Sequence, residues 1–142
     1  MSIITFKIPG TPVAKQSGSW GNGHMYTKEP SRNYESLVIE TAAREAPDVP
    51  IEGPVEMWIV AVFPRTKGLL FRFKKDGRYK HGKERLPYIQ KPDFDNLKGV
   101  CDGITKAGIW VDDKQVYRAK VEMYYCAIGE QPHAEITIQW DE

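Results

Sequence analysis

Three carboxylates stand out by type and spacing. Asp93 and Asp95 sit in KPDFDN, residues 91–96, at the entrance to an amphipathic stretch, and Asp113 follows Asp112 in VDD ahead of a long alternating segment. Residues two apart in an extended chain point to the same side, about 6–7 Å apart at the backbone, so Asp93 and Asp95 could share or flank one hard cation. Pro92 restricts the residues around it and favours an extended Asp93. Magnesium takes one or two carboxylates and completes its octahedron with waters and phosphate oxygens. Carboxylates without His or Cys favour magnesium or manganese over zinc. Such an ion serves work at a phosphate. The same residues admit a plainer reading, an N-cap at Asp95 and turn formers at Asp112 and Asp113, and spacing alone leaves both open.

Lys98 follows Asp95 by about one helical turn, and Asp102 follows Lys98 by another, which would line one polar face of a helix. A lysine there could neutralise charge on an attacked phosphate or position a water. It would equally suit an exposed pair with Asp102, worth only about 0.3–0.5 kcal/mol. Upstream, residues 65–91 hold ten of the twenty Lys and Arg against only Asp76 and Glu84, a local formal charge of +8 in a chain of +1. Phe71, Phe73, Tyr79 and Tyr88 interleave with these cations. Clustered cations displace counterions from phosphates and aromatic faces stack on unpaired bases, so the segment suits a polyanion. A solvated loop is the alternative.

The elements that must position these groups are legible from periodicity. Ile4, Phe6 and Ile8 alternate with polar neighbours and predict a half-buried strand ending at Pro9 and Gly10, and residues 10–30 read as a loop. After Ser31 as N-cap, Tyr34, Leu37, Val38, Thr41 and Ala42 share a helical face, with Pro47 as the stop. VEMWIVAVF, residues 55–63, reads as a central strand covered on both faces. A second helix is expected over about 95–105, because Leu97, Val100, Cys101 and Ile104 recur at helical spacing, with Asp93 or Asp95 as cap and Gly108 as stop. VYRAKVEMYY and a closing segment through Trp140 alternate as strands. The order describes an α+β fold, a mixed sheet packed on two main helices.

Composition narrows the class. A chain of 142 residues, 41% apolar and 27% charged, fits one globular domain spanning residues 1–142, with a basic insert at about 65–91. No run approaches the roughly 20 apolar residues of a membrane span, and the start lacks a signal-peptide pattern, so a cytoplasmic protein is expected. Cys101 and Cys126 form no CxxC pair, and His24, His81 and His133 match no zinc spacing. Cys101 reads as helix core and Cys126 as buried at a strand end, neither as a nucleophile. Trp20, Trp58, Trp110 and Trp140 read as packing groups.

KPDFDNLKGVCDGITKAGIWVDDKQV, residues 91–116, resembles the signature of the RusA family of Holliday-junction resolvases, many of them encoded by phages and prophages. The PDxDN core, the Asp at the helix midpoint, the KAG ending, an apolar segment and DDxQV occur in family order. The strand followed by PGTPVAKQ, the YxxLV helix, the basic stretch and the closing strand also fit, so the likeness covers most of the chain. It implies a homodimeric, Mg2+-dependent endodeoxyribonuclease, with Mn2+ able to substitute, that cuts paired strands of a four-way DNA junction in recombination and repair. The setting it implies is the cytoplasm of a bacterial or phage-infected cell.

Carried over residue by residue, the metal-binding and catalytic carboxylates fall on Asp93, Asp95 and Asp113, with Asp112 adjacent and Asp102 the helix aspartate. The family's catalytic lysine usually follows the second Asp by four residues, whereas DNLK here places Lys98 three after Asp95. DNA backbones would be gripped by Arg72, Lys74, Lys75, Arg78, Lys80, Lys83, Arg85 and Lys91, with Lys15 and Lys28 as further candidates. A branched-DNA nuclease of relaxed structure choice, and a junction-binding module of weak catalysis, are the competing readings.

Overall fold

The computed structural model describes residues 1–14, 19–21, 24–26, 29–66 and 84–142. These residues form an α+β fold with two main helices and a five-stranded mixed sheet. The chain runs β1 (Ser2–Pro9), β2 (Ser19–Gly21), β3 (His24–Tyr26), α1 (Glu29–Ala43), β4 (Val55–Phe63), β5 (Leu86–Pro87), a 3-10 turn (Phe94–Leu97), α2 (Lys98–Ala107), a second 3-10 turn (Asp113–Gln115), β6 (Val116–Tyr125) and β7 (His133–Trp140).

The sheet order is β1-β7-β4-β6-β5. Strands β1 and β4 flank β7 antiparallel, β4 and β6 run parallel, and β5 closes the edge antiparallel to β6. Alternation decides which side chains face the helices. Phe6 and Ile8 of β1, Met57, Ile59, Ala61 and Phe63 of β4, and Ala134, Ile136 and Ile138 of β7 join Tyr34, Val38 and Ala42 of α1 and Val100 and Ile104 of α2 in one core. Burying a side chain of this size contributes about 1.5–3 kcal/mol, so nearly all the apolar periodicity of the sequence is used here.

The helices meet at Gly103. A Cβ there would lie 2.5 Å from Val38 Cγ1 and 2.8 Å from Val38 Cβ, a separation only glycine permits. Lys106 pairs with Glu35 across the same contact at 3.0 Å.

Four local expectations are corrected. Helix α1 begins at Glu29, so Ser31 lies inside its first turns and does not cap it, and it ends at Ala43, ahead of Pro47. Residues 10–30 contain a two-stranded ribbon, Ser19 facing Tyr26 and Gly21 facing His24. Asn22 and Gly23 separate its strands in the sequence, a pair that favours two-residue hairpin turns. Strand β4 is central, but on its second face Val60 and Val62 are buried, clustered with Cys126, while Glu56 is half-buried and Trp58 is 42% exposed. The Lys120 ammonium lies 4.8 Å from the centroid of the Trp58 ring, a cation–π contact in place of packing. Helix α2 starts at Lys98, after the 3-10 turn, so its residues 98–107 fall later than the expected 95–105. Gly108 ends it as expected, in the left-handed conformation at φ 85°, with its N–H on the Ile104 and Thr105 carbonyls.

Candidate active site

The stretch that enters α2 is pinned by one apolar side chain. Leu97 is 3% exposed and joins the core, while Phe94 remains 67% exposed. Asp93 and Asp95, on either side of Phe94, are thereby left at the surface. Asp95 lies within the 3-10 turn rather than an extended segment, and Leu97 precedes α2 with no side-chain cap bond. Neither aspartate therefore caps the helix, which removes the plainer reading of Asp95.

Lys91 shows what the Asp93 and Asp95 pair attracts. Its Nζ donates to Asp93 Oδ2 at 2.8 Å. The hydrogen bond to Asp93 raises the Lys91 pKa most, the Asp93 charge adds to it, desolvation opposes it, and the Asp95 charge adds a further upward push. Both carboxylates thus act on one positive charge.

Asp113 is carried back to α2 by the chain that follows it. Ile109 N–H donation ends the helix on Ile104, Ile51 donates to the Ile109 carbonyl at 2.9 Å, and Val111 donates to the Ile51 carbonyl at 3.3 Å. Trp110, 1% exposed, donates through Nε1 to Thr105 Oγ1 at 2.6 Å. The next turn is closed by a capping box: Asp112 Oδ1 accepts from Lys114 N at 2.8 Å, and Gln115 Oε1 accepts from Asp112 N at 2.9 Å. The backbone donation from Lys114 is the main cause that holds the Asp112 carboxyl below the usual carboxylate range. Asp112 is thus committed to shaping the turn, and Asp113 is the exposed member of the pair.

The Cys101 thiol on α2 registers the return of Asp113. Burial pushes its pKa up to about 11, and the charges of Asp113 and then Asp102 add to the shift. A thiol held protonated well above neutrality is no nucleophile, in keeping with its reading as helix core. The Asp113–Gln115 turn packs against α2, and the charges of Asp113 and Asp102 both act on Cys101 while those of Asp93 and Asp95 both act on Lys91. Among the described residues, no three His, Cys, Asp or Glu side chains form a group that could hold a metal ion.

The side chain of Lys98 lies outside the described residues, but its backbone is placed as the first residue of α2. Asp95 to Leu97 lie within the preceding 3-10 turn, and the Lys98 to Asp102 spacing lies inside the helix. Lys15, Lys28, Arg72, Lys74, Lys75, Arg78, Lys80 and Lys83 also lie outside the described residues. Arg85 grips Glu130 with two nitrogens, Nε at 3.0 Å and Nη2 at 2.7 Å from Oε2, and reaches Glu135 Oε1 at 3.4 Å. Glu135 Oε1 also lies 2.9 Å from His133 Nε2. Arg65, at the other end of the basic segment, donates to the Cys126 and Glu84 carbonyls. Both described ends of that segment are thus fastened to the turn between β6 and β7 and to each other.

Sequence reasoning passed over Arg65, Glu130 and Gln115. Only Gln115 left a readable signal: Asp112-x-x-Gln115 is a capping-box pattern. The partners of the two arginines lie 45 and 61 residues away, and no local pattern points to them.

Comparison with known proteins places the chain among endodeoxyribonucleases. The family model described as Endodeoxyribonuclease RusA matches residues 9–139, nearly the whole chain, and the protein belongs to that family. Among curated proteins there is no significant match. Among the described residues no helix is long and apolar enough to cross a membrane.

Proposed function

We propose that this chain is a Mg2+-dependent endonuclease that resolves four-way DNA junctions in recombination and repair, working as a homodimer in the cytoplasm of a bacterial or phage-infected cell. The observation that carries the reading is the packing of the Asp113–Gln115 turn against α2, the helix that Asp93 and Asp95 lead into, within a chain of the RusA family. The donor set suits the ion. Asp93, Asp95 and Asp113 are exposed oxygen ligands, and magnesium needs only one or two carboxylates because it keeps several waters, so a closed three-residue cage is not required. Mn2+ would serve the same oxygens. Bound there, the ion would polarise the phosphate and lower the pKa of a water.

The chain's own residues divide the remaining work. Asp93, Asp95 and Asp113 would supply one or two direct carboxylates to the ion and hold its waters with the rest, Lys91 would compete with it for Asp93, and Lys98 would supply positive charge from the first position of α2. Arg72, Lys74, Lys75, Arg78, Lys80 and Lys83, with Lys15 and Lys28, bind DNA backbones and position the junction without reading sequence. A two-fold pair of such sites would match two symmetric scissile phosphates.

Cleavage of a synthetic four-way junction in Mg2+ or Mn2+, beside a panel of flaps and forks, tests the reading. Asp93→Asn and Asp113→Asn should each abolish cutting and leave junction binding largely intact. Equal cutting of every branched substrate would demote the protein to a relaxed nuclease. Binding without scission, unaltered by Asp95→Asn, would show a junction-binding module instead.

A further inference from the structure

We infer that Gln115 is the positioning residue for Asp113, an inference that rests on the metal-dependent reading above. Its side-chain amide has two donor hydrogens and an acceptor oxygen with two lone pairs, and the structure uses all four. Nε2 donates to the Ile51 carbonyl at 2.7 Å and to the Gly53 carbonyl at 2.8 Å. Oε1 accepts from Val111 N at 2.9 Å and from Asp112 N at 2.9 Å. One neutral side chain therefore ties the backbone just before Asp113 to the segment that leads into β4. The other side of that backbone is fixed by Trp110, buried and bonded to Thr105 of α2.

The chemistry admits few substitutes. A glutamate would present no donor to two carbonyls and would set a charge against them. An asparagine keeps the donors and the acceptor but withdraws them by one methylene, so it cannot span both segments. Gln115 shares the 3-10 turn with Asp113 two residues earlier, so freeing the turn moves the carboxylate without touching it. Outer-shell partners that orient metal ligands typically govern metal affinity by 10–100-fold.

Mn2+ binding to the purified protein without DNA, followed by electron paramagnetic resonance, tests this beside thermal unfolding. Gln115→Ala should weaken Mn2+ binding by about 10-fold or more, and the milder Gln115→Asn should weaken it less while keeping the fold. In an Asp113→Asn background, either change should leave Mn2+ affinity where Asp113→Asn alone sets it, although each still lowers the unfolding temperature. Variants that melt earlier but bind Mn2+ as the wild type does would make Gln115 a structural residue only and overturn the inference. So would losses that add to that of Asp113→Asn. A wild-type protein that binds no Mn2+ would instead remove the metal-dependent reading, and the inference with it.

Discussion

Replacing Gly103 by alanine pits two effects of opposite sign against each other. In an isolated helix alanine is better than glycine by about 1 kcal/mol, so propensity alone predicts a gain. The structure predicts a loss. The new Cβ would meet Val38 Cγ1 at 2.5 Å and Val38 Cβ at 2.8 Å, and the second atom is fixed to the α1 backbone, so a rotamer change cannot clear it. Val38 is 0% exposed and β-branched, with one strongly preferred rotamer in a helix. Overpacking of this kind costs about 1–3 kcal/mol, typically by parting the packed elements. Set against the gain of about 1 kcal/mol from propensity, the net expectation is a loss of up to about 2 kcal/mol, a fall of up to about 8 °C in Tm for a chain of this size. Calorimetry or urea titration of Gly103→Ala, Val38→Ala and the double variant measures it. The double variant should recover about 1 kcal/mol or more relative to the sum of the single changes. A Gly103→Ala protein more stable than the wild type by about 1 kcal/mol, as propensity alone predicts, would refute the close approach of the two helices.

Two further expectations concern titration. Glu130 and Glu135 are held below the usual carboxylate range, Glu130 chiefly by the hydrogen bond from Arg85 and Glu135 chiefly by that from His133. Carboxyls lowered in the folded state stabilise it above the ordinary value near 4.5 and lose that contribution as pH falls through the lowered value. The urea midpoint should therefore drop on acidification below about 4.5, less steeply in Arg85→Ala, and parallel curves for the two proteins would show that the pairing contributes nothing. Cys101 works in the opposite sense: its value raised from 9.0 to about 11 leaves its stabilisation intact below 9 and removes it between 9 and 11. In a Cys126→Ser background, alkylation of Cys101 should rise with a midpoint near 11 and move to lower pH in Asp113→Asn, whereas an unmoved midpoint would place Asp113 away from α2.

The sequence carried most of the frame because the frame is made by periodicity. Ile136 and Ile138 alternating with Thr137, or Val100 and Ile104 one turn apart, state their own burial, and both lie in the core. Gly108 announced the end of α2 because only a left-handed residue closes a helix that way. What escaped was decided by contacts distant in the chain. Trp58, read as a packing group, is 42% exposed, on the sheet face opposite α1 and α2 among the described residues, a placement set by sheet order rather than by its neighbours. Asp95 looked like a cap because capping is local, yet Leu97, drawn into the core, sets the 3-10 turn and the helix start instead. The aspartates themselves were legible by spacing. Their division into a pair at Lys91 and a pair at Cys101 was not, since it follows from how Trp110 and Ile51 draw the chain back across the helix.

Strands β4 and β6 are neighbours that run the same way, and same-sense neighbours need a crossover between them. Here that crossover contains the cationic stretch, all the aspartates at issue and α2, so the chemical equipment is one continuous cassette slung between two rungs of a finished ladder. Because Arg65 donates to the Glu84 carbonyl and so joins the two described ends of the basic segment, a change in its length between residues 66 and 84 is expected to leave the β4–β6 register and the segment that carries the aspartates as they are. Under the proposed function, a change in the DNA shapes the protein accommodates need not disturb the carboxylates assigned to cutting.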